Sequence, residues 1–166
     1  MSLLISARKT ALLCKRYQRS SIEKFNHWQP SSWSHANPVD LVAEMNTDIY
    51  IAIADELLQW EEGDAIIHMG IIGRRIVIKS LLESTIIVDK AYDTTFKNDS
   101  LELLKAYEHE LVVKTVDIMG KYHKPVIGVY LMTDDMTRTV VEIDNEKYRG
   151  IVFPGQERAA KALAKM

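Results

Sequence analysis

Apolar residues change their period several times along the chain, and each change predicts an element. In "SLLISARKTALLCKRY", Leu4, Ala7, Ala11 and Cys14 recur at the spacing of one helix face, which predicts an opening helix. "SIEKFNHW" predicts a short helix with Ser20 or Ser21 as its N-cap, and "QPSSWSHANP" then breaks all periodicity and reads as a loop. In "NTDIYIAIADELLQW", Ile49, Ile53, Leu57 and Trp60 share a face, with Asn46 or Thr47 as cap and Gly63 past the end. "DAIIHMGII" is a continuous apolar run, the pattern of a strand covered on both faces.

Further along, the β-branched residues of "GRRIVIKSLLESTIIVDKAY" resist helix, but its length and its Arg/Lys spacing favour one, so we read it as mainly helical. "DSLELLKAYEHELVVKTVDIMGKYH" predicts a helix opened by Asp99 and Glu102 in capping-box spacing and ended by Gly120, with Leu104, Tyr107, Leu111 and Ile118 on one face. "KPVIGVYLM", "TRTVVEI" and "GIVF" read as strands, and "PGQERAAKALAKM" as a closing helix with Ala159, Leu163 and Met166 facing inward. Buried runs that alternate with amphipathic helices predict an α/β layered fold with a mostly parallel sheet.

The length, 166 residues, suits one domain spanning 1–166, and its apolar and charged fractions are those of globular proteins. A net charge of -2, with acids and bases interspersed, leaves no electrostatic footprint for nucleic acid or an anionic membrane. Cys14 is the one cysteine, so no internal disulfide can form, and a reducing cytoplasm is the expected compartment. No apolar run approaches the roughly 20 residues needed to span a bilayer. The basic residues near the start follow the short apolar run, against the order of a signal peptide.

Candidate chemistry is sparse. His27 and His35 flank Trp28 and Trp33, but their spacing matches no standard zinc pattern. His68 falls inside a predicted buried strand, where a hydrogen-bonded core histidine is expected, and His109 and His123 read as solvated. Asp134 and Asp135 follow the "VIGVYLM" strand, where α/β sheets bind ligands, although an acid pair there also suits a turn. "IGRR" sets a glycine beside two cations without a Gly-rich loop, and no nucleophile elbow, Walker or dinucleotide glycine pattern is present.

Three stretches in order, "IEKFNHWQPSSWSHANPVDLV", "HKPVIGVYLM" and "GIVFPGQERAAKALAKM", resemble the third, flavodoxin-like domain of the NDP-forming acyl-CoA synthetases, typified by ADP-forming acetyl-CoA synthetase. The motif positions are Asn37, Pro38, Val39 and Asp40, then Lys124, Pro125 and Val126, then Glu157 and Arg158. The resemblance implies a three-layer α/β/α fold that lacks the family's first strand and its glycine loop. Gln156 stands where a proline is usual before Glu-Arg-Ala.

It also implies a non-catalytic structural or interface role within an enzyme that turns acyl-CoA, phosphate and ADP into acid, CoA and ATP. Partners would be the CoA-binding, phosphohistidine and ATP-grasp domains or subunits. CoA and ADP or ATP with magnesium would bind the complete enzyme rather than this domain. The alternatives are a stand-alone flavodoxin-like or degenerate receiver-like interaction module, and a small hydrolase or transferase using His68 or Asp134/Asp135. Homo-oligomerisation through an uncovered apolar face is a further expectation.

Overall fold

The computed structural model describes residues 2–8, 11–14, 19–41, 46–93, 95–144 and 146–166. Strands β1 (Ser2–Arg8), β2 (Ala11–Cys14), β3 (Ala65–Met69), β4 (Val126–Val129), β5 (Val140–Val141) and β6 (Gly150–Phe153) form one sheet in the order β2-β1-β3-β4-β6-β5. Helices α1 (Arg19–Trp28), α2 (Thr47–Gln59), α3 (Arg74–Val88), α4 (Thr95–Tyr122) and α5 (Gln156–Leu163) complete the α/β fold. No helix among the described residues is long and apolar enough to cross a membrane.

The sheet is mixed rather than mostly parallel. β3, β4 and β6 run parallel, with α3 and α4 forming the crossover from β3 to β4, whereas β1 is antiparallel to both β2 and β3, and β5 is antiparallel to β6. The start of the chain is also corrected: it is two strands, not a helix. The helical spacing of Leu4, Ala7, Ala11 and Cys14 ignores the alternation of Leu3, Ile5 and Ala7 with Ser2, Ser6 and Arg8, which is the period of a strand interrupted at Leu4. Leu3 and Ile5 stand in register with Ile67 and Ala65 of β3, so pairing with the sheet outweighs local helix propensity.

The pleat sorts the core into two layers. Ile66, Val126 and Val152 meet Phe25 of α1, Tyr50, Ile53 and Leu57 of α2, and Leu111 and Ile118 of α4. Ala65, Ile67, Ile127 and Val129 project to the other face, which Ala159 and Leu163 of the short α5 cover. Each fully buried large aliphatic side chain contributes roughly 1.5–3 kcal/mol relative to exposure.

Helix ends follow local chemistry. Asn46 caps α2, its side chain accepting from the Asp48 N–H at 2.8 Å. Helix α4 begins at Thr95, so Asp99 and Glu102 lie inside it rather than capping it, and it runs through Gly120 until His123 turns the chain with φ 55°. Met166 is exposed rather than packed inward.

Candidate functional site

A cavity of about 420 Å³ opens at the carboxyl ends of β3 and β4, the edge where open α/β sheets hold ligands. Met69, Gly70 and Ile71 line it from the β3 end, and Val129, Tyr130 and Leu131 from the β4 end. Arg74, Asp40, Leu41 and Gln156 close its rim. The Arg74 Nε donates to the Gly70 carbonyl at 2.9 Å, which folds the guanidinium back over its own turn.

The β3–α3 turn is held by two contacts that no local sequence signal reveals. The N–H groups of Gly73 and Arg75 both donate to Glu108 Oε1, at 3.1 and 2.9 Å, so a carboxylate from α4 caps the first turn of α3. The Leu131 N–H donates to the Ile72 carbonyl at 2.7 Å and ties the end of β4 to the same turn. Gly73 has φ 91°, and a Cβ there would stand 2.6 Å from the Met132 carbonyl oxygen. "IGRR" therefore builds a tight turn whose free donors are spent on Glu108, not a phosphate cradle.

The motif positions hold structural posts. Asn37-Pro38 is a cis peptide, Val39 is fully buried, and Ser34 Oγ donates to the Pro38 carbonyl at 2.9 Å. Trp33 Nε1 and His35 Nε2 converge on Asn26 Oδ1 at 2.8 and 3.0 Å. Because an oxygen faces it, His35 Nε2 carries the proton there, and the ring lies 4.4 Å from that of Trp33. His27 is exposed and has no part in this cluster.

Lys124 Nζ donates to the carbonyls of Leu58 and Trp60, both at 2.8 Å, and so places a cation on the C-terminus of α2. The Pro125 carbonyl accepts from Ile66 at 3.0 Å at the start of the parallel β3–β4 ladder, and Val126 pairs with Ile66. On α5, Glu157 lies in the first turn and pairs with Lys161 at 2.7 Å, while Arg158 is exposed.

Asp134 makes a turn: its Oδ1 accepts from the Met136 N–H and the Thr137 hydroxyl, both at 3.0 Å, and its own N–H donates to Thr137 Oγ1. Asp135 is exposed, and its carbonyl accepts from Arg138. His109 is exposed, and His123 meets the Tyr148 hydroxyl at 3.0 Å.

His68 is a core histidine, 2% exposed, but its Nδ1 has no hydrogen-bond partner, contrary to the expected satisfied ring. Burial disfavours its cation and pushes its pKa down to about 3. The ring lies 5.4 Å from that of Tyr50, whose hydroxyl faces Thr115 without good hydrogen-bond geometry to it. A histidine so enclosed cannot reach a substrate.

Among the described residues, no group of three His, Cys, Asp or Glu side chains is placed to hold a metal ion. Among the described residues, the cavity lining carries one guanidinium, that of Arg74, and one carboxylate, that of Asp40. Comparison with family models, curated proteins and solved structures found no match to this chain.

Proposed function

We propose that this chain is a non-catalytic, flavodoxin-like interface domain of an NDP-forming acyl-CoA synthetase. One observation carries the reading: stretches far apart in sequence meet at a single cavity. Asp40 of the Asn-Pro-Val-Asp corner, Val129 to Leu131 at the end of the Lys-Pro-Val strand, and Gln156 immediately before Glu157 and Arg158 all line it. Shared motifs that converge at the carboxyl edge of a sheet are what a common docking edge requires.

Beside the cavity, Leu131, Met132 and Met136 are exposed on the loop after β4, and apolar side chains gathered at a functional edge favour a protein partner. The partners under this reading are the CoA-binding, phosphohistidine and ATP-grasp domains or subunits, which hold CoA, ADP or ATP, and magnesium. The residues of this chain position that edge and move no proton.

The test is ATP formation from acyl-CoA, ADP and phosphate. The expected outcome is no turnover by the isolated chain and turnover by the assembly that contains it. Acyl-CoA-dependent ATP formation by the isolated chain would overturn the reading.

A further inference from the structure

A second concavity, about 640 Å³, lies far from the strand ends, on the outer surface of α1, α2 and α4. Helices α2 and α4 are bridged there by two ion pairs in the same sense along both: Lys114 to Asp48 at 2.7 Å and Lys121 to Asp55 at 2.6 Å. The pairs are seven residues apart on each helix, which at 1.5 Å per residue puts the rungs about 10 Å apart.

Between the rungs the surface is apolar. Ile51 and Ala52 of α2 and Trp28 of α1 are half-buried, and Ile118 of α4 forms the floor. The rim is acidic. Glu56 and Asp117 line the groove with the rung carboxylates, and Glu110 accepts from Lys114 beside it, so five carboxylates stand against Lys24, Lys114 and Lys121. Burial pushes the Asp55 carboxyl up, but hydrogen bonds from Lys121, Tyr122 and Gln59 outweigh it and hold it below the usual carboxylate range. That rung keeps its negative charge in weak acid.

We propose that this groove docks a cationic amphipathic helix, with its apolar ridge laid between the rungs and its lysines or arginines on the acidic rim. Two nearly parallel helices with an apolar trough form the seat into which a further helix packs by ridges into grooves. The excess of carboxylates selects the sign of the partner. A second copy presenting the same face would set acid against acid, and nucleic acid or an anionic membrane would be repelled. The inference stands apart from the synthetase reading, since it uses none of the residues at the strand ends.

The test is calorimetric titration of the full chain with two defined peptides of 18 residues: one with leucines on a helical stripe and lysines elsewhere, the other with glutamates in place of the lysines. The lysine peptide should bind with a salt-dependent affinity, and the glutamate peptide should not bind. Ala52→Arg, which fills the trough with a cation, should weaken binding by about tenfold or more. Asp117→Lys should weaken it by several-fold through charge alone, so the result survives if Ala52→Arg fails to fold. Equal binding by wild type and Asp117→Lys, binding of the glutamate peptide, or a homodimer that Asp117→Lys disrupts would each overturn the proposal.

Discussion

At the scale of single residues, Gly73 has little freedom to change. Its positive φ disfavours any L side chain, and the Met132 carbonyl occupies the place of a Cβ, so strain and collision add. Gly73→Ala is expected to lower unfolding free energy by about 2–4 kcal/mol, read from urea denaturation. A loss under about 1 kcal/mol would mean that the turn can open without cost.

His68 sets a dependence on pH. Its folded pKa, about 3, lies below the ordinary 6.5, so below pH 6.5 the unfolded chain binds a proton that the folded one refuses. Its contribution is intact above pH 6.5 and is lost as pH falls toward 3, with a limiting slope of about 1.4 kcal/mol per pH unit. In His68→Gln the descent between pH 6.5 and pH 4 should flatten relative to wild type, measured by urea midpoints at fixed ionic strength. Parallel curves for the two proteins would contradict a neutral buried imidazole. The run "DAIIHM" made the burial of His68 legible, but the missing partner at Nδ1 depends on what α2 and α4 place opposite it, which the strand's own sequence does not encode.

At the scale of elements, Lys124 joins α2 to β4. A lysine just before a buried strand reads as a solvated flank, yet its ammonium takes the last carbonyls of a helix 64 and 66 residues earlier. Lys124→Met keeps most of the apolar stem and strands two carbonyls, and should cost about 1–3 kcal/mol in unfolding free energy. A loss within about 0.5 kcal/mol would show that water replaces the ammonium freely. Helices α1, α2 and α5 were legible because each buries an apolar face, and α2 also carries its Asn46 cap, whereas α3 was read from its length and its Arg/Lys spacing alone. The first strands were not, since β1 pairs with β3 about 60 residues later, β2 pairs only with β1, and together they left only a short alternation in the sequence. The capping-box spacing of Asp99 and Glu102 misled for a related reason: the helix starts a turn earlier, at Thr95.

At the scale of the molecule, the candidate site lies at the carboxyl edge of the sheet. Asp40, Arg74 and Gln156 come from a loop, a helix start and the far end of the chain, and only the parallel order of β3, β4 and β6 brings them together. The motif stretches were visible in the sequence, but their convergence on one cavity required the fold. Leu131, Met132 and Met136 are exposed on the loop after β4, and under the proposed function they are covered within an assembly. The direct test is the native mass of the species that carries this domain in its own cells. Under the proposed function the species is several-fold larger than the 19.0 kDa of this chain and contains other synthetase domains, on the same polypeptide or as subunits. A species of 19.0 kDa, or a multiple of it with no other component, would contradict it.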